Sequence, residues 1–278
     1  MILKTNRDYP CIELREQREF PVGRSYLYNF LRHQTENPVS NIIVKSTNKT
    51  AWLIAFEGLD GAGKTTQRKL LKAWLEGIGQ EVVVTKWNSS PLFKPLIKAR
   101  KATRALSPKE FAVLHAADFR HRYDTVIEPS LRAGKIVLAD RYIFTGMARD
   151  VARGLDRDWS RNLYRPARRP DVVFYFAISP EICAKRIAAG RQMKFYEAGQ
   201  DVTNVSDPVE SYLRFAPKVL QEYENLSREF GFVPIDAERP IYAQHRYIRD
   251  TCERLTAENR HYEPNRAPGF QPDAAASL

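Results

Sequence analysis

Eight consecutive residues, Gly58-Leu59-Asp60-Gly61-Ala62-Gly63-Lys64-Thr65, fill every position of the pattern G-x-x-x-x-G-K-[ST]. That spacing suits the grip of a polyphosphate. Gly58, Gly61 and Gly63 let the backbone curl until successive N–H groups and a helix N-terminus point at phosphate oxygens. Lys64 then reaches the β- and γ-phosphates, and the Thr65 hydroxyl can hold Mg²⁺. Asp60, Ala62 and Thr66 complete the nucleotide-binding set. The pattern carries this meaning only between a strand and a helix, and the flanks supply both. AWLIAFE ahead of it is a short apolar run, and Leu70, Leu71, Trp74, Leu75 and Ile78 recur behind it at helical spacing until Gly79.

A second constellation, Asp140-Arg141-Tyr142, follows directly on the apolar run Ile136-Val137-Leu138-Ala139. In an open α/β sheet, ligands bind beyond the carboxyl ends of the strands, so these side chains face the phosphate loop across the crevice. Asp140 suits the shell of a Mg²⁺ ion, and the planar fork of Arg141 matches the oxygens of a phosphate. A strand-end salt bridge would use the same residues without a ligand; the neighbouring phosphate loop favours the site.

Five apolar runs must position these groups: residues 51–57, Val82 to Val84, Ile136 to Ala139, Val172 to Ile178 and Phe232 to Ile235. Helical stretches alternate with them. Ser107-Pro108-Lys109-Glu110 joins a capping box to a proline at the first helical position, predicting a helix toward Tyr123, and Ser179-Pro180-Glu181 opens another. A last helical stretch reaches Leu255. Such alternation predicts an α/β fold with a five-stranded parallel sheet covered by helices on both faces. Residues 1–50, with a helix expected around Ser25 to His33, read as an N-terminal extension to a domain of residues 51–256, and 257–278, with three prolines, as a flexible tail.

The 44 Lys and Arg against 33 Asp and Glu leave a formal charge of +11, which favours anionic partners. Cys11, Cys183 and Cys252 are odd in number and widely spaced, against both a disulfide framework and a zinc cluster, so the expected compartment is the cytoplasm. The start lacks an apolar signal core, and the longest apolar run is far short of the roughly 20 residues that span a bilayer.

Phe56-Glu57-Gly58-Leu59-Asp60-Gly61-Ala62-Gly63-Lys64-Thr65-Thr66-Gln67 resembles the phosphate loop of the thymidylate kinase family of nucleoside monophosphate kinases. Leu114-His115-Ala116-Ala117-Asp118, then Pro129, Leu131, Gly134 and Asp140-Arg141-Tyr142, resemble its central helix and next strand. The resemblance spans roughly residues 52–255. It implies the P-loop kinase fold with a lid segment after the fourth strand. It also implies ATP- and Mg²⁺-dependent transfer of a phosphoryl group to a nucleoside monophosphate. Asp60 would then face the acceptor and the metal, Lys64 the transferring group and Arg141 the acceptor phosphate. The family often supplies an arginine from the lid where the loop has none; Ala62 stands in that place here, so Arg191, with Arg186 and Lys194 beside it, is the lid candidate. A solvated surface charge explains Arg191 equally well. Thr145 and Tyr142 join the acceptor set, and the family allows a homodimer.

The departures touch the acceptor. Thr85-Lys86-Trp87-Asn88 replaces a Thr-Arg-Glu-Pro element, Asp118-Phe119 replaces Asp-Arg with Arg122 one turn on, and Ala148-Arg149-Asp150 replaces Ala-Tyr-Gln. Lys86, Trp87, Arg122 and Arg149 are therefore the altered acceptor candidates, and a preference shifted away from thymidylate is expected. Trp87 could stack on a base or pack in the core. Two other functions compete: a kinase of another phosphate-bearing acceptor or polyphosphate, and a nucleotide-binding regulatory module without kinase activity. Seven arginines between Arg149 and Arg169, mostly at helical spacing, form a basic stretch. Charge without a base-reading element argues against nucleic acid.

Overall fold

The computed structural model describes residues 51–165 and 167–258. The extension, with its expected helix, and the chain beyond 258 lie outside the described residues. Five strands form one all-parallel sheet in the order β2-β3-β1-β4-β5: β1 Leu53–Gly58, β2 Val82–Lys86, β3 Ile136–Asp140, β4 Val172–Ala177 and β5 Val233–Asp236. Each coincides with one of the five apolar runs. β1 is central and buried along its whole length, because helices cover both faces. Register sets Phe56 beside Asp140 on one side and Phe174 on the other. The ends of β1 and β3 thus share the carboxyl edge of the sheet.

Helix α1 (Lys64–Gly77) leaves β1 through the phosphate loop. After β2 come α2 (Lys94–Ala102) and α3 (Pro108–Arg122), and α3 begins with the anticipated capping box: Ser107 Oγ accepts from Glu110 N at 3.2 Å and Glu110 Oε2 from Ser107 N at 2.9 Å. A π-helical turn, Tyr123–Ile127, leads to the short α4 (Glu128–Arg132). α5 (Ile143–Ala152) and α6 (Arg157–Leu163) follow β3, and α7 (Pro180–Gly190) follows β4. Two single turns, α8 (Phe195–Ala198) and α9 (Gln200–Thr203), make the segment where a lid was expected. The long α10 (Pro208–Phe230) and α11 (Ile241–Glu258) bracket β5.

α10 buries Tyr212, Phe215, Val219, Tyr223 and Leu226 along one stripe at helical spacing. Its start is capped by Asp207, which accepts from Glu210 N at 2.7 Å, and it stops at Gly231, whose φ of 66° suits glycine. The arginine-rich stretch is not one helical face. Gly154, at φ 85°, ends α5, and Asp156 starts α6 afresh by accepting from Trp159 N at 2.8 Å. Arg157 and Arg161 consequently turn to Glu222 and Glu229 of α10, and Arg168 to Asp171. α11 runs to Glu258. No described helix is long and apolar enough to cross a membrane.

Candidate active site

The phosphate loop lies between the end of β1 and the first turn of α1, as its chemistry requires. Gly61 and Gly63 adopt φ of 82° and 94°, which only glycine takes without strain. A Cβ on Gly61 would meet the Cys183 carbonyl at 2.9 Å, so α7 packs directly against the loop. A Cβ on Gly63 would meet nothing, so that side of the loop is open to a ligand. No side chain caps α1 and its first turn holds no acid, which leaves its backbone donors and positive dipole end for an anion.

Lys64 is buried and its ammonium donates to the Leu59 carbonyl within the loop. Burial, with Arg141 adding repulsion, pushes its pKa down to about 7. Thr65 Oγ1 donates to Asp140 Oδ2 at 2.8 Å, and Arg68 Nε reaches the same oxygen at 3.2 Å. A hydroxyl and one carboxylate beside a phosphate cradle form the hard-oxygen donor set that Mg²⁺ takes together with water and phosphates. Among the described residues no group of three or more His, Cys, Asp or Glu forms an all-protein cage.

Asp60 is gripped from two sides. Arg141 Nη2 lies 2.7 Å from Oδ1, and Arg149 contacts Oδ2. Burial alone would raise the Asp60 carboxyl, but Arg141, Arg149 and Lys64 outweigh it and hold the group well below the usual carboxylate range. Arg141 carries a φ of 73°, a left-handed conformation that a non-glycine residue holds only at a cost of roughly 1–3 kcal/mol. Its Nη1 donates to Gly58 O at 2.9 Å and Thr145 Oγ1 at 3.1 Å. Arg141, Asp60 and Arg149 therefore come together at the carboxyl edge, beside Lys64.

The aromatic side of the crevice holds Trp87. Half-buried, its ring is nearly parallel to His115 at 6.0 Å and near Phe119 and Tyr164. Arg122 lies over the Trp87 and Phe119 rings at 5.7 and 5.5 Å. Its guanidinium is held by Asp118, at 2.7 Å, and by Thr85 Oγ1, at 2.8 Å; Nη2 is buried without a partner among the described residues. Other expected residues stand apart from any open cleft. Tyr142 is fully buried, its hydroxyl donating to Arg168 O, and Thr145 is fully buried beside Arg141. Lys86 is exposed at the end of β2, in register with Asp140. Asp150 points away, accepting from Ser160, and burial pushes its pKa up to about 7. Arg191 is exposed and binds Glu197 through both its terminal nitrogens, at 2.8 and 2.6 Å. Arg186 donates to Ala237 O.

Three residues of the site escape sequence reasoning. Lys101, at the end of α2, lies 2.9 Å from His115 Nε2, whose other ring nitrogen meets Phe111 O at 2.6 Å. Burial, then Arg149, Arg153 and Lys194, push the Lys101 ammonium down to about 7. No local pattern pairs the two. Glu197 faces the same crevice as Asp60 and Arg149.

A phosphate loop at the centre of a β2-β3-β1-β4-β5 sheet, with cations gathered at its carboxyl edge, defines a P-loop nucleotide kinase. Comparison narrows the class. The thymidylate kinase family profile matches residues 56–248. A probable thymidylate kinase 2 of Saccharolobus solfataricus is 40% identical over 191 residues, covering 68% of this chain and 89% of the relative. A probable thymidylate kinase of Thermococcus kodakarensis is 34% identical over 215 residues, covering 74% and 98%. A thymidylate kinase of Xanthomonas oryzae pv. oryzae is 39% identical over 137 residues, covering 49% and 60%. The chain belongs to the thymidylate kinase family and is a nucleoside monophosphate kinase.

Proposed function

We infer that the P-loop domain transfers the γ-phosphoryl group of ATP to thymidylate, giving the diphosphate. The observation that carries this reading is the convergence of Lys64, Asp60, Arg141 and Arg149 where β1 and β3 end. ATP is cradled by the backbone of Gly58, Gly61, Ala62 and Gly63 and by Thr66, with Lys64 on the transferring group. Thr65 and Asp140 would hold Mg²⁺, which neutralises phosphate charge when bound. The incoming acceptor phosphate exchanges with Asp60 for Arg141, whose planar fork grips two oxygens. Asp60 is then free to face the sugar or metal. Arg191, turned from Glu197, screens the charge that spreads over the phosphoryl oxygens in flight. Positioning and charge neutralisation supply the catalysis, since phosphoryl transfer needs little covalent help from the protein.

For the base, Arg122 offers an unpartnered N–H beside the Trp87 and Phe119 rings, suited to a carbonyl oxygen of thymine. That residue takes the place left by Phe119 and supports thymidylate over a shifted preference. Leu92, Leu96 and Val113 stand exposed and support a homodimer, which sedimentation would test. The function is tested by mixing the protein with ATP, Mg²⁺ and a panel of nucleoside monophosphates and measuring ADP. Thymidylate should rank first in kcat/KM. Another monophosphate clearly ahead would restore the shifted preference, and no turnover with any would refute the kinase reading.

A further inference from the structure

The donor loop and Arg141 stand on different strands; besides the direct contacts of Arg141 with Gly58 O and Asp60, a second carboxylate reaches both sides. Glu57, the residue before Gly58, is fully buried at the end of an otherwise apolar strand. Its oxygens take four hydrogen bonds. Oε1 accepts from the backbone N–H groups of Tyr142, at 2.8 Å, and Thr145, at 3.2 Å. Oε2 accepts from the hydroxyls of Thr145, at 2.6 Å, and Tyr223, at 2.9 Å.

The first pair caps α5. Tyr142, at the N-cap, offers no side-chain acceptor, so donors of the first turn are satisfied by a residue of β1. The second pair sets a direction. A carboxylate only accepts, so the Thr145 and Tyr223 hydroxyls, themselves 2.8 Å apart, donate to Glu57 directly or one through the other and leave lone pairs for Arg141. Arg141 Nη1 lies 3.1 Å from Thr145 Oγ1 and 3.4 Å from Tyr223 Oη. A strained left-handed residue persists only where its surroundings over-determine it, and these contacts do so.

We propose that Glu57 is a positioning residue: through Thr145 and Tyr223 it fixes the Arg141 guanidinium to receive the acceptor phosphate, in register with the donor loop beginning at Gly58. This rests on the kinase reading above. Burial raises the Glu57 carboxyl, and the Thr145 hydroxyl, Arg141, the Tyr142 N–H and the Tyr223 hydroxyl work against that rise.

Glu57→Gln separates the two roles. The amide oxygen still caps α5, but the amide nitrogen donates to a hydroxyl and so turns a hydroxyl hydrogen toward Arg141. Calorimetry on the full chain should show thymidylate affinity at least tenfold weaker and ATP affinity within about threefold of wild type, a tenfold loss being about 1.4 kcal/mol. Exchange of the Tyr142 and Thr145 amides should remain slow. Unchanged thymidylate affinity, or equal losses for both nucleotides, would overturn the proposal. Should Glu57→Gln fail to fold, Tyr223→Phe removes one hydroxyl of the relay and must weaken thymidylate selectively. A wild-type protein that phosphorylates nothing refutes the kinase reading instead; the relay is then read from the Arg141 guanidinium resonances, which must shift in Glu57→Gln.

Discussion

Removing Asp118 should cost more stability than almost any other single change in the site. Asp118 and Arg122 are 1% and 2% exposed, and the Asp118 carboxylate is the only anion that Arg122 touches among the described residues. Asp118 Oδ1 also accepts from Ser90 N at 2.8 Å, tying α3 to the loop after β2. Burial lowers the Arg122 pKa and Asp118 supports it, yet the guanidinium stays charged in Asp118→Ala and is left uncompensated. Breaking a buried pair in this way costs about 3–5 kcal/mol. For a domain of this size each kcal/mol shifts Tm by about 2–4 °C, so a fall of roughly 6–20 °C is expected by circular dichroism. Asp118→Leu combined with Arg122→Met replaces the pair by apolar groups and should be more stable than Asp118→Ala alone. The double variant should nevertheless bind thymidylate weakly and ATP normally. A loss below about 1 kcal/mol in Asp118→Ala, or strict additivity of the two single changes, would refute the coupling of the pair.

Lys64→Ala should remain folded and lose phosphoryl transfer by at least about two orders of magnitude, read as initial rate of ADP formation. The free-enzyme pKa of Lys64 near 7 adds a pH effect: phosphates stabilise the charged ammonium, so ATP binding at pH 8 takes up a proton and weakens as pH rises through 7 and beyond. Calorimetry in buffers of different ionisation enthalpy measures that uptake, and zero uptake in wild type would contradict it. Arg141→Ala should impair thymidylate binding and turnover while ATP affinity changes little; selective loss of ATP affinity would reverse the assignment. Gly146→Ala sets a Cβ 2.1 Å from the Tyr164 hydroxyl, so overpacking should cost about 1–3 kcal/mol in urea unfolding, and trimming Tyr164 to Leu should recover part of it.

The sheet and the donor loop were legible because both are written locally. Each strand is a continuous apolar run, and the loop's meaning depends only on a strand before it and a helix after it. The Ser107 capping box likewise acts across four neighbouring residues. The acceptor side was less legible because its contacts are distant in sequence. Arg122 meets Thr85 37 positions away, and Glu57 meets Tyr223 166 positions away. The helical spacing of Arg149 to Arg165 misled because Gly154 resets the helix between them, sending Arg149 to Asp60 and Arg157 to Glu222. One signal was available: a glutamate ending a wholly apolar central strand must be buried, and a buried carboxylate requires partners.

The arginines of the site are each balanced by a carboxylate. Arg141 and Arg149 hold Asp60, Arg191 holds Glu197, and Arg68 and Thr65 hold Asp140. Cations gathered this closely would otherwise repel one another in a partly buried crevice, and an unpaired buried charge costs several kcal/mol. On the proposed reading, binding is therefore an exchange in which a phosphate replaces a carboxylate, and its net affinity is the difference between two strong interactions. Lys64 differs. Its ammonium donates to the Leu59 carbonyl, and burial with Arg141 nearby brings its pKa to about 7. The arginines cannot lose a proton, so they are balanced by carboxylates; Lys64 can, and on the proposed reading bound phosphates would restore its full charge.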